Sequence, residues 1–435
     1  MLKKYISFDL RKVFSQPLMV NVASLGILQL ANYIIPIIII PFVVRALGVE
    51  IFGKVSYAQN IITYLTIVVN YGFEYSATQD VAINRDDRNK LSTVFWTTIR
   101  FKFCLLLITF LLLLILFFTF DKVKEDGLLY VYAALVNIGF VLFPTWFFQG
   151  MEKMFKMAMF NFIFKALGAV LVILLIQTPS DYRIYLLLLS LSYIVISIFV
   201  FFYVIKHYQL LPNSKNKELS TSVIKKGFPI FINNIFVSLY TTAGLTIIGL
   251  YLTNTEVGLY AAAYKIVFAV LMLTSMPVNT ALFPIMSRRF NDSFVDGWAF
   301  FKRSLLIVGV LSLLVCFVFY FSTPLIVKVF LGTEFLSVIP LLQVLSIMPF
   351  LVVMASMFTV QGLYGLQLHK YAPFIGALLG VISLIVYFIF IPLYGVYGAA
   401  YAWILAQTLE IVFVLLFLVI KKRELLSKER ENNEN

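Results

Sequence analysis

The sequence is poor in the residues most soluble enzymes depend on: 435 positions hold 2 cysteines, 2 histidines and 21 Asp plus Glu. Each scarcity excludes something. Cys104 and Cys316 both sit inside apolar runs, so neither a disulfide framework nor a cysteine-based metal site is expected. His207 and His369 lie far apart in segments that read as loops and form no ligand pattern, so no metal or other cofactor is expected. No glycine-rich phosphate loop of the form GxxxxGKS/T occurs, which argues against direct use of ATP, and neither a nucleophile elbow nor HExxH is found. Also missing is any polar stretch long enough to fold as a soluble domain.

Apolar sequence is what the chain has in abundance. Hydrophobic residues make up 61% of it and charged ones 13%, with 44 Phe, more than a water-exposed surface tolerates. Twelve segments, each about long enough to cross ~30 Å of hydrocarbon, follow one another: 18–44, 55–73, 95–118, 128–148, 157–176, 185–204, 227–250, 257–282, 300–320, 335–360, 371–391 and 397–420. Lys3, Lys4, Arg11 and Lys12 precede an apolar run too long for a removable signal, so the first span is expected to be retained. With the N-terminus inside, 26 of the 34 Lys and Arg fall on the cytoplasmic side and 6 outside, so both termini are expected to face the cytoplasm. Lys165 and Lys265, inside spans, are the remaining two. The net charge of +13 is thereby explained by membrane orientation, and nucleic acid is not an expected partner.

The expected fold is an all-α integral membrane protein in two six-helix lobes. Residues 1–205 form the first lobe, 206–226 a cytoplasmic linker, 227–420 the second lobe and 421–435 a cytoplasmic tail. Sliding the chain on itself by about 205 residues superposes LGVEIFGKVSYAQNI (47–61) on LTNTEVGLYAAAYKI (252–266), pairing Gly53 with Gly258, Ala58 with Ala263 and Ile61 with Ile266. Gln29 then falls on Asn234. An even number of spans per half keeps the two copies in the same orientation, a parallel repeat with a pseudo-two-fold axis.

The stretches QLANYIIPIIIIPFVVRALGVEIFGKVSYAQ (29–59), YGFEYSATQDVA (71–82) and PTWFFQGMEKM (144–154) resemble the polysaccharide repeat-unit flippases of the Wzx type. Those belong to the broader group that includes peptidoglycan-precursor flippases and multidrug and toxic-compound extruders. Further likeness lies at VGLYAAAYKI (257–266), LFPIMSRRF (282–290) and GVYGAAYAW (395–403). The resemblance implies a bacterial inner-membrane protein that moves undecaprenyl-diphosphate-linked oligosaccharide units, such as those of O-antigen, to the periplasmic leaflet by alternating access. H+ or Na+ as a coupling ion and a polysaccharide polymerase of the same pathway are further candidate partners.

An anionic diphosphate headgroup needs fixed cations in a wet cavity, because an unpaired charge at the bilayer centre is costly. Lys265 and Lys165, each deep within a span, are the first candidates; Arg100 and Lys102 would form an inner mouth, and Arg45 an exit-side contact. Each has a plainer reading as a snorkelling anchor or a member of a closed core. On the second span Gly53, Ser56, Asn60, Thr63, Asn70 and Glu74 recur at helical spacing, a polar face that would line a cavity or bind neighbouring helices. Gln29 and Asn32 of the first span, and Asn234 of the seventh, extend the cavity-lining set. Glu74, Asp80 and Glu410 are candidate ion carriers, or partners of nearby cations. An ion-coupled extruder of organic cations is the competing function, disfavoured because the mid-membrane charges are cationic. A polymerase or ligase is disfavoured because the outer connections are short.

Overall fold

The computed structural model describes residues 17–212, 217–368 and 371–434. Among them the chain is helical and no strand occurs, as expected where lipid leaves backbone groups nothing else to bond. Eight helices are long and apolar enough to cross a membrane, or ten with each of two bent pairs counted as one span. The chain is a multi-pass membrane protein.

Spans three to twelve read from the sequence each coincide with one of these helices, and the departures have local causes. Pro17–Asn70 is one 54-residue helical run interrupted at Gly48, whose φ of 70° is open to glycine and strained for other residues. The seventh span bends by 53° between Leu219–Thr241 and Ala243–Tyr251, and the tenth by 41° between Thr333–Leu345 and Met348–Tyr364. Pro349, at the start of the second piece, supplies no N–H to the first, so the break falls there. Within the expected linker, 206–226, helix runs on to Tyr208 and resumes at Lys217. His207 accordingly lies on a helix, stacked on Tyr203, rather than in a loop. The final helix likewise continues to Glu434 through a segment rich in Lys, Arg, Glu and Leu.

By contacts the chain divides into two compact units, Met1–Val43 with Ile62–Ile232, and Val44–Ile61 with Asn233–Asn435. In the first, Arg88–Thr119 starts on Asp87, whose carboxylate accepts from Asn89 N at 3.0 Å and Lys90 N at 3.1 Å. The Lys90 amide, foremost, holds that carboxyl below the usual carboxylate range. An aromatic core of Phe95, Trp146, Phe147 and Phe148 packs Arg88–Thr119 against the short Thr145–Gly150 helix.

In the second unit the long Asn254–Asp292 helix opens on a capping box between Thr253 and Glu256. Val44–Ile61 belongs to this unit because it crosses that helix at backbone distance. A Cβ on Gly53 would lie 1.8 Å from Asn254 O, and one on Gly258 would lie 2.1 Å from Val49 O. The glycines paired by the sequence repeat thus meet each other at the crossing.

Candidate functional site

Each of the five candidate cations belongs to one unit, and the partners recorded for four of them differ in kind. In the first unit, Arg100 donates to Pro212 O at 2.7 Å, while Arg88 donates to Gln209 O at 2.8 Å. The two guanidinium groups satisfy carbonyls just beyond the Tyr182–Tyr208 helix, where the chain has no further helical N–H to offer. Lys102 is 3% exposed and donates to Asn70 Oδ1 at 3.2 Å and to Phe140 O at 2.6 Å. The second bond has a covalent cause. The residue four beyond Phe140 is Pro144, which has no N–H, so the Phe140 carbonyl loses its helical donor and Lys102 replaces it. Asn70 is itself the last residue before the break at Tyr71 and Gly72, both with positive φ. Lys102 therefore joins two helix ends, with Thr66 donating to Asn137 Oδ1 at 2.7 Å as a second polar link between the same segments. Lys165 is part-buried on Met154–Leu175.

In the second unit Arg45 donates to Val329 O, in the last turn of the Phe294–Leu331 run, where carbonyls are unpaired and a cation suits the helix dipole. Lys265 is different. Its ammonium lies 3.5 Å from Gln59 Oε1 and 4.7 Å above the ring centre of Phe52. Both partners are uncharged, and no carboxylate pairs with Lys265 among the described residues. Counting from Asn254 at 1.5 Å per residue, Lys265 is about 17 Å into its helix, near the middle of a ~30 Å hydrocarbon layer. Beside Gln59, Asn60 donates to Thr246 Oγ1 at 2.6 Å and to Thr242 O at 3.4 Å, the carbonyl at the 53° bend. Bent helix, polar pair and ammonium are thus gathered in one unit.

The polar residues read on the second span lie on the Pro17–Asn70 run, except Glu74, which lies on Phe73–Ile83. Gly53, Ser56 and Asn60 belong to the second unit, where Ser56 is buried near the glycine crossing, while Thr63, Asn70 and Glu74 belong to the first. Thr63 and Glu74 are exposed, and Asn70 is the Lys102 acceptor. Asn234 is part-buried; the side chains of Gln29 and Asn32 lie outside the described residues. Asp80 is 3% exposed and bound by Lys226 at 2.6 Å, an ion pair that ties Phe73–Ile83 to Lys217–Thr241. Glu410 accepts from Thr359 Oγ1 at 3.1 Å and Gln407 Nε2 at 3.4 Å. Sequence reasoning did not assign Gln59, Thr246, Thr359 or Gln407 to a site. Gln407 was findable, one turn before Glu410 on the same helix; Thr246 and Thr359 had no linear signal.

Comparison with known proteins bears on this geometry. A family model described as polysaccharide biosynthesis protein matches residues 18–290. The chain is 26% identical over 401 residues to a protein of Escherichia coli (strain K12) designated a candidate O-antigen transporter, covering 92% of this chain and 96% of that one. It is likewise 26% identical to a protein of Shigella dysenteriae with the same designation, covering 91% and 98%. Among solved structures, an inward-facing multidrug resistance MATE family transporter of the MOP superfamily aligns with a TM-score of 0.73 at 14% identity, over 93% of this chain and 99% of that one. The lipid II flippase MurJ in an inward closed conformation aligns at 0.69 and 13%, over 92% and 87%. At such identities these structures establish the shared fold alone.

Proposed function

Because the chain belongs to the polysaccharide biosynthesis protein family, we propose that it carries undecaprenyl-diphosphate-linked oligosaccharide repeat units from the cytoplasmic to the periplasmic leaflet of a bacterial inner membrane by alternating access. It is a transporter rather than an enzyme. The observation that carries the reading is Lys265: a mid-span ammonium without a carboxylate partner among the described residues, beside Gln59 and Asn60. Such a cation is costly to hold in the membrane and is offset when an anionic ligand arrives. A diphosphate supplies that charge, and the neighbouring amides offer hydrogen bonds to phosphate or sugar.

Twelve spans with both termini cytoplasmic complete the proposal. The length of Pro17–Asn70, about 81 Å at 1.5 Å per residue, supports it by leaving room for two spans beyond those counted. A pathway polymerase would receive the flipped unit outside, and an H+ or Na+ gradient would drive the cycle. Export of organic cations remains the competing function, and the Lys265 ammonium opposes it by repelling such cargo.

In cells whose surface polysaccharide depends on this protein, Lys265→Ala should abolish the polymer while leaving the membrane-inserted amount unchanged. Normal polymer from that variant would remove Lys265 from the site. Lys265→Arg should retain part of the export if charge alone is required. If cells expressing the wild-type chain gain resistance to organic cations while polymer is unaffected by its deletion, the extruder reading wins.

A further inference from the structure

The second unit contains an ionisable group that the cationic site does not use. Glu410 lies mid-span in Val396–Lys421, where it is the sole charged residue before Lys421. Five elements packed against this helix, Ala243–Tyr251, Ile339–Leu345, Met348–Ser356, Met357–Tyr364 and Ala372–Tyr394, contain no Asp, Glu, Lys, Arg or His. Two longer helices touch it as well. Asn254–Asp292 carries Lys265, Arg288 and Arg289 with Glu256 and Asp292, and Phe294–Ile326 carries Asp296, Lys302 and Arg303. None of these ion-pairs with Glu410 among the described residues: Arg288 bonds Asp292, and Arg289 lies over the Phe300 ring. Among the described residues the phenol of Tyr240 interacts electrostatically with Glu410, and Tyr364 with that phenol. A carboxylate with no cation opposite it in such surroundings gives up hydration that only hydrogen bonds replace.

The partners of Glu410 sit on irregular backbone. Thr359 belongs to a π-helical stretch, Met357–Tyr364, in which Gly365 N bonds Val360 O five residues back. Such wide turns recur at functional sites because they leave room for a side chain to rearrange. The stretch lies hard against the Glu410 helix: a Cβ on Gly362 would be 2.7 Å from Leu418 Cδ1. On the same stretch Gln361, fully buried, donates to Asn279 Oδ1 at 3.3 Å, while its own Oε1 has no partner among the described residues. Tyr240, for its part, is one residue short of the end of its helix, just before the 53° bend.

We infer that Glu410 is a proton-binding site that couples protonation to the π-helical stretch and to the bend at Thr242, a reading that rests on the chain being a gradient-driven transporter. As the anion, Glu410 accepts from Thr359 and Gln407. On taking a proton it becomes a donor, and the Thr359 hydroxyl, able to accept, turns to receive it with no ion left in the apolar layer.

The test is an infrared difference spectrum of the full-length protein in liposomes between alkaline and acid pH, with no glycan added. Expected is a carboxylic-acid C=O band that is lost in Glu410→Gln, kept in Glu410→Asp, and shifted in Thr359→Val by loss of its hydrogen bond. The pH-gradient stimulation of transport should fall roughly tenfold in Glu410→Gln. A band unchanged in Glu410→Gln overturns the proposal, as does a wild-type carboxylate that never titrates but is shielded from carbodiimide by sodium. Because the spectrum needs no glycan, failure of Lys265→Ala to affect polysaccharide would defeat the functional reading and leave the titration of Glu410 standing on its own measurement.

Discussion

Lys102 in the first unit and Lys265 in the second are both lysines on apolar helices, yet their ammonium groups meet different surroundings. Lys102 lies beside two helix ends, where the proline at 144 has orphaned the Phe140 carbonyl and Asn70 closes a helix. Lys265 projects from an unbroken stretch toward side chains, an amide and an aromatic face, each a weaker partner than a free carbonyl. The difference teaches that residue type alone does not tell what a span lysine bonds, and here burial differs as well, Lys102 being buried and Lys265 part-buried. A carbonyl orphaned nearby accounts for the Lys102 bond, while Lys265, bonded to Gln59 and set over Phe52, is the lysine proposed above to meet a ligand.

The sharpest way to break the comparison is to remove both amines and read stability and transport together. Lys265→Met should eliminate polysaccharide export with little change in melting temperature, since Gln59 can turn elsewhere. Should its melting temperature fall as far as that of Lys102→Met, the two lysines are alike and the distinction fails. Next in size is Gly53→Ala, for which the obstructing atom is the Asn254 carbonyl rather than a flexible side chain. It should cost about 3 kcal/mol in thermal or denaturant unfolding, since overpacking here moves two helices apart. Lys102→Met should cost about 2 kcal/mol by leaving the Phe140 carbonyl buried and unpaired.

A finer test uses the proline. Pro144→Ala restores an N–H four residues beyond Phe140, so in that background Lys102→Met should cost about 1 kcal/mol less than it does alone. Equal costs in the two backgrounds would show that the Phe140 carbonyl is not what Lys102 serves. The smallest expected effect is that of Thr246→Val, which removes the 2.6 Å acceptor of Asn60. It should lower stability by about 1 kcal/mol and reduce export less than Lys265→Arg does, because Asn60 retains the Thr242 carbonyl.

Much of the spanning pattern was readable in advance because hydropathy is a local property: a run of apolar residues needs no partner to declare itself. The breaks were partly readable from Pro349 and Gly48, whose backbone limits are intrinsic. The site was less so. Lys265 stood out as a charge within an apolar run, and the repeat offset set Asn60 in register with it, yet Gln59 and Phe52, its actual partners, lie more than two hundred residues away in sequence. Of the polar stripe on the second span, Gly53 to Asn70 lie on one helical run, whereas Glu74 lies on Phe73–Ile83 beyond the break at Tyr71 and Gly72, and Ser56 is buried at a helix crossing. Arg45 and Arg100 offered no linear hint that Val329 O and Pro212 O would accept from them.

Alone, the order of residues determined that this chain is helical and membrane-spanning, which of its lysines are set in apolar surroundings, and which carbonyl proline would orphan. Each of these follows from a residue's own side chain or its immediate neighbours. Tertiary structure decided which donor answers that carbonyl, that Gly53 meets Gly258, and that Lys265 is left facing an amide and a ring while Glu410 stands among neutral groups. Those outcomes depend on distances between segments hundreds of residues apart, and hydrogen bonding and desolvation act over a few ångströms of space, not along the chain.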